Sequence, residues 1–248
     1  MQPIVWRVHH FVEIDSTNSW LVNEAKNAAP EGVVAHADFQ TAGRGRLDRQ
    51  WESPAGTSLL CSILLRPPVA PGQLQLVVAA VALSARAALV RLSGVRPDLK
   101  WPNDLIAGDA KLAGLLAEIV TTNEGLAIVV GIGVNLTSVG PANVKSTSVL
   151  ALSGVTISPR ALLDILLDEL EHRRAELETE DGRRDLRAEY ERSLATLGQL
   201  VRVERRDDVV VGTASRVDEV GRLVVNVDGT EIAFEAADVV HVRRHEES

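Results

Sequence analysis

From Leu74 to Leu92 the chain is dominated by Ala, Leu and Val, and the run closes at Gly94. It is long enough for a helix, and a helix this apolar has to be enclosed rather than laid on a surface. Other elements must therefore wrap it, and 248 residues leave room for one large domain plus a small one. Val5 to Ile14, Val33 to Phe39 and Ser58 to Leu65 read as strands, the last ended by Pro67-Pro68. Asp15-Ser16-Thr17-Asn18 offers several N-cap residues to a helix over Ser19 to Ala29, which Pro30 stops. Leu99-Lys100-Trp101 reads as a short strand ending in a turn at Pro102-Asn103-Asp104. Lys111 to Thr121 and Leu126 to Val134 read as paired strands joined at Asn123-Glu124-Gly125. Ala161 to Glu178 and Asp185 to Leu194 are charged amphipathic helices.

The texture changes after Gly198. Val201 to Glu204, Val209 to Ala214, Leu223 to Val227, Glu231 to Phe234 and Val239 to Val242 are short strands, with a hairpin signal at Asp228-Gly229. The expected class is α+β: a mixed-sheet domain with packed helices over residues 1–197, then a small β-barrel or sandwich over 198–248.

Composition excludes several roles. With 46% hydrophobic and 24% charged residues the chain is ordinary globular material. Its net charge of −8 argues against non-specific nucleic-acid binding, which needs phosphate neutralisation. Cys61 is the only cysteine and sits in an apolar run, so it reads as a core residue; no disulfide forms within the chain and a reducing cytoplasm fits. Met1-Gln2-Pro3 does not begin a basic-then-apolar leader, and the apolar stretch Leu74 to Leu83 is too short to span a membrane.

Against this acidic background one run stands out: Gln40-Thr41-Ala42-Gly43-Arg44-Gly45-Arg46-Leu47-Asp48-Arg49-Gln50-Trp51. Glycines permit tight bends and close approach to a ligand. Arginines present fixed donor forks that suit carboxylate and phosphate. The run is either a solvated surface loop or a mobile anion clamp. Other segments are equally ambiguous when taken alone. Ser16-Thr17-Asn18 is a helix cap or a set of polar ligand contacts. Asn103-Asp104 is turn chemistry or part of a site. Lys111, before Leu112-Ala113-Gly114, is an idle surface cation or a charge aimed at a ligand. No G-x-x-x-x-G-K-[ST] run occurs, and Gly131-Ile132-Gly133 lacks the third glycine of a dinucleotide fingerprint.

Taken together these segments resemble the biotin–protein ligases (biotin–acetyl-CoA-carboxylase ligases). The motifs stand in family order: Ser16-Thr17-Asn18; Gln40 to Arg46 with Arg49 and Trp51; Lys100-Trp101-Pro102-Asn103-Asp104; Lys111 to Glu118; and Gly131-Ile132-Gly133-Val134-Asn135-Leu136. They cover roughly residues 10 to 140, and the C-terminal β module agrees with the family's SH3-like cap. Asp48 departs from the pattern, standing where many members have glycine.

The resemblance implies two steps: biotin and ATP give biotinyl-5′-AMP, and a lysine of a biotin carboxyl carrier protein domain then takes the biotin. It implies that Arg46 and Lys111 are catalytic. Ser16, Thr17, Asn18, Gln40, Gly43, Arg44, Gly45, Arg46, Lys111 and Gly114 would bind biotin. Arg46, Arg49, Trp51, Asn103, Asp104, Lys111 and Asn135 would bind the nucleotide, with Mg²⁺ held mainly by phosphate and water. A lipoate–protein ligase shares the scaffold and chemistry, but the loop and the Lys100–Asp104 motif favour biotin. Some members carry an N-terminal winged helix that reads DNA; the Ser16 motif begins too early here for one, so no DNA partner is expected. A module that holds biotin without catalysis is disfavoured by Arg46 and Lys111. The expected protein is cytoplasmic, without a membrane partner, and a monomer or weak homodimer.

Overall fold

A computed structural model describes residues 3–47, 49–141, 144–204, 209–235 and 238–241. Asp48, Val242 and the residues after it lie outside that set. The first sheet has seven strands: β1 (Arg7–Ile14), β2 (Val33–Gln40), β3 (Ser58–Leu65), β4 (Asp98–Lys100), β5 (Asp104–Ala107), β6 (Ala110–Thr122) and β7 (Gly125–Asn135). Their order is β1-β2-β3-β7-β6-β5-β4; β1 and β2 are parallel and every other pairing is antiparallel. Among the described residues five α-helices accompany it: α1 (Thr17–Lys26), α2 (Leu74–Ser93), α3 (Val149–Ser153), α4 (Pro159–Glu176) and α5 (Glu180–Ser193).

Alternation along the strands assigns the two faces of the sheet. Ile63 and Leu65 of β3, with Val130, Ile132 and Val134 of β7, pack into the large core with α2, α4 and α5. Leu64, Val120 and Val129 point the other way, against Leu21 and Ala25 of α1. β3 is buried along its whole length because both faces are covered. By length and hydropathy α2 resembles a membrane span, but most of it is buried inside this core. Ser16 caps α1, accepting from Ser19 N at 3.4 Å, and Gly94 ends α2 at φ +74°.

Strands β8 (Leu200–Glu204), β9 (Val209–Val217), β10 (Leu223–Val227), β11 (Thr230–Phe234) and β12 (Asp238–His241) form a second, antiparallel sheet in the order β11-β10-β9-β8-β12. It is continuous with the large core through Val201, Val203, Val217 and Phe234. Trp101 joins the two sheets. Its ring is buried to 1% exposure and its Nε1 donates to Gly221 O at 3.2 Å. The Trp101–Pro102 peptide is cis.

The secondary structure departs from expectation in three places. Asp104 opens β5 instead of completing a turn, because its partner Gly114 on β6 extends the ladder. The helix expected from Asp185 starts at Glu180: Thr179 Oγ1 accepts from Gly182 N at 3.0 Å, so a capped first turn absorbs the glycine. Helix α3 was not expected at all; it is a single capped stretch after Ser148.

Candidate active site

The α1 face of the sheet holds a cavity of about 380 Å³, a size suited to a small organic ligand. Its wall is β3, β7 and β6 side by side. Gly131 pairs with Ser62 and Leu116, and Gly133 with Leu60 and Gly114, so two glycines spaced by two fall on one face. At those two positions the face has no room for a side chain. A Cβ at Gly131 would sit 2.2 Å from Asn18 Oδ1, and one at Gly133 would sit 2.5 Å from the Trp51 ring.

A polar network occupies one end. Thr17 N and Oγ1 both donate to Gln40 Oε1, at 2.7 and 3.0 Å. Ser62 Oγ lies 2.8 Å from Thr17 Oγ1 and 2.7 Å from Asn18 Oδ1. Asn18 Nδ2 donates to Glu118 Oε2 at 2.8 Å. Ser16, Thr17, Asn18 and Ser62 are all buried, so this network is preorganised rather than solvated.

The basic loop crosses above the wall. Gly45 N donates to Arg49 O at 2.7 Å and Trp51 N to Gly43 O at 3.0 Å, which folds the loop back on itself. Gly43 is required there, since a Cβ would meet Trp51 O at 2.4 Å. Arg44 Nη1 donates to both oxygens of Glu118, at 3.0 and 2.9 Å. Arg46 Nη1 donates to Asn103 Oδ1 at 3.1 Å. The Trp51 ring lies over Gly133 and Gly114, and Lys111 Nζ stands 5.8 Å from its centroid.

Strand β6 supplies a further cation. Lys111 Nζ forms an ion pair with Asp104 Oδ1 at 2.7 Å. Asn103 pins the turn to β6, with Nδ2 donating to Leu115 O at 2.7 Å and its carbonyl accepting from Leu115 N at 2.8 Å. Asn135 Nδ2 donates to Thr147 O at 3.0 Å and holds the segment that lies beside Lys111. Beneath the wall, Cys61 faces the core, and burial pushes its thiol up to about 12. Among the described residues no group of three or more His, Cys, Asp or Glu is placed to hold a metal ion.

Ser16, Thr17, Asn18, Gln40, Arg44, Gly45, Arg46, Arg49, Trp51, Asn103, Asp104, Lys111, Gly114 and Asn135 all line this one cavity. Of the residues singled out in the sequence, Gly43 alone does not, and it lines the adjoining cleft instead. Three wall residues went unassigned, Ser62, Gly131 and Gly133, as did Glu118, which reaches the site through Asn18 and Arg44. The signals were present, namely a serine inside the apolar run Leu59–Leu65 and a G-x-G inside an apolar strand. Chemically the cavity presents cations over a wall of glycine and apolar groups. It can hold two anionic groups together and offset their repulsion.

Residues 11–135 match the Biotin/lipoate A/B protein ligase family. Over 247 residues the chain is 36% identical to the biotin–[acetyl-CoA-carboxylase] ligase of Mycobacterium tuberculosis, covering 96% of this chain and 90% of that protein. It is 31% identical to the bifunctional ligase/repressor BirA of Escherichia coli, over 87% of this chain and 68% of that one. The fold matches the biotin protein ligase from Aquifex aeolicus in complex with biotin and ATP with a TM-score of 0.83, at 24% identity, across 95% of this chain and 99% of that chain.

Proposed function

We infer the reaction from one premise: the chain belongs to the Biotin/lipoate A/B protein ligase family. It is an ATP-dependent biotin–protein ligase. A carboxylate oxygen of biotin attacks the α-phosphorus of ATP and the bond to pyrophosphate breaks, leaving biotinyl-5′-AMP. The amine of a carrier lysine then attacks the acyl carbon, loses a proton, and AMP departs. Biotin supplies its own nucleophile, so the protein has to orient the reactants and manage charge. The observation that carries this reading is that Arg46 and Lys111 line one cavity, Arg46 bonded to Asn103 and Lys111 paired with the adjacent Asp104.

Ser16, Thr17, Asn18 and Gln40 hold the ureido end, in the buried polar network. Arg44, Gly45 and Arg46 form the cover over carboxylate and α-phosphate. Lys111 exchanges its partner Asp104 for the two reacting anions. Trp51, Arg49, Asn103, Asp104 and Asn135 surround the nucleotide, and Gly114 keeps space beside Lys111. The described residues offer no cage for Mg²⁺, so the cation travels with the phosphates and no step is assigned to it.

The acceptor is a biotin carboxyl carrier protein domain of a biotin-dependent carboxylase. The protein acts in the cytoplasm as a monomer or weak homodimer. With 34 acidic against 26 basic residues it reads no DNA. Pyrophosphate release with biotin and ATP tests the reaction; release with lipoate but not biotin would overturn it. Fluorescence anisotropy against the chain's own upstream DNA tests the last point, and nanomolar sequence-selective binding would reverse it.

A further inference from the structure

Among the described residues, Glu118 is the carboxylate hydrogen-bonded both to the loop and to the polar end of the cavity. It stands on β6, and its side chain is one-quarter exposed. From one side it accepts Arg44 Nη1 on both oxygens, at 3.0 and 2.9 Å. From the other it accepts Asn18 Nδ2 at 2.8 Å. Asn18 in turn accepts from Ser62 at 2.7 Å and lies where a Cβ on Gly131 would have to be. A single side chain thus ties the cover to the wall.

Arg44 and Arg46 therefore differ. Arg46 is directed to the turn at Asn103, on the Lys111 side of the cavity. Arg44 is committed to Glu118, and its guanidinium is already matched to a carboxylate before any substrate carboxylate arrives.

We propose that Glu118 is a positioning residue and that the Arg44–Glu118 pair is the latch of the basic loop. In this division Arg44 holds the cover in place, and Arg46 is the loop arginine that meets the reactants. The proposal rests on the ligase reading for its consequence, slower loss of biotinyl-5′-AMP, but the latch itself is a property of the ligand-free protein.

Glu118→Gln separates the two contacts. Its amide oxygen still accepts Asn18 Nδ2, while the charge that holds Arg44 is gone. Arg44→Gln removes the other partner at a half-exposed position where folding is not at stake. Amide hydrogen exchange of the 43–51 segment, measured without ligand, reads the latch directly. Each variant is expected to exchange about 5- to 10-fold faster there, with the double variant no faster than either single one. Arg44→Lys, which keeps the charge, is expected to restore most of the protection. Raising the salt concentration should erode protection in the unsubstituted protein and leave the variants unchanged, because a half-exposed pair is screened. A merely structural carboxylate would not respond to salt or to lysine.

Unchanged exchange in both single variants, or additive effects in the double, would overturn the latch. In a second arm, biotinyl-5′-AMP should dissociate about 5- to 10-fold faster from Glu118→Gln and Arg44→Gln. Equal off-rates beside faster loop exchange would overturn the link between latch and retention. Absence of pyrophosphate release by the unsubstituted protein would refute the ligase reading alone, since the exchange result is obtained without substrate.

Discussion

Between Gly43 and Trp51 the chain keeps its shape through a few backbone hydrogen bonds and side-chain contacts at its edge, and Leu47 is 65% exposed. The wall beneath it is the opposite. β3 is buried at every residue, and β7 is buried from Ala127 to Asn135. Neither Gly131 nor Gly133 can be enlarged without striking Asn18 or Trp51. The wall is a shape, and the loop is a set of charges held at its edges. A site made this way separates two tasks: recognition of a small ligand by preformed space, and management of charge by a separate segment. Substitutions in the two regions should therefore fail differently, the wall in ligand affinity and the charges in chemistry and retention.

Lys111→Ala should have the largest effect, because it removes the point charge that β6 brings to the turn at Asn103-Asp104. Adenylate synthesis should fall by about 10²–10³, while transfer from supplied biotinyl-5′-AMP falls much less. Equal losses in both half-reactions would show that Lys111 shapes the cavity rather than the first step. Gly131→Ala comes next and probes the wall. Its new methyl must displace Asn18, so biotin KM should rise about 10- to 100-fold with little change in kcat. A kcat effect without a KM effect would break the division between wall and charge. Arg46→Gly probes the loop and should speed release of biotinyl-5′-AMP about tenfold, labelling nearby amines indiscriminately. An unchanged off-rate would assign retention to the wall after all.

The same contrast explains what could be read from the sequence. Strand β3, the hairpin of β6 and β7, and helix α2 were legible because burial imposes a local apolar pattern with clear breakers. The polar site residues were legible only as a set, since Ser16 is equally a helix cap and Asn103 equally a turn residue. What stayed hidden depends on register. Ser62 and Gly131 become neighbours only through the β3–β7 ladder, and Glu118 meets Arg44 across 74 positions of sequence. Asn103 and Asp104 were assigned to the nucleotide, yet in the folded chain they also hold Arg46 and Lys111. Trp101 reads as an aromatic beside the motif turn, whereas its ring joins the two sheets through Gly221. Contacts between distant elements leave no local periodicity to detect.

The smallest effect is expected at Cys61, on the core side of the wall. Burial raises its thiol from 9.0 to about 12. At pH 8 the folded thiol is thus about a thousandfold less ionised than an unfolded one, and the thiolate is the form that reacts. Iodoacetamide should label the native protein at a negligible rate, with or without biotin. Labelling at the rate of an unfolded thiol would mean that the wall opens as readily as the loop, and the contrast between them would collapse. Stability supplies the complementary measurement. A folded pKa above the unfolded one favours the folded state fully below pH 9.0, and this contribution is lost as pH rises through about 12. Between those limits the loss is about 1.4 kcal/mol per pH unit. The urea midpoint of the unsubstituted protein should therefore fall more steeply above pH 9 than that of Cys61→Ala, and parallel declines would place the thiol in contact with water.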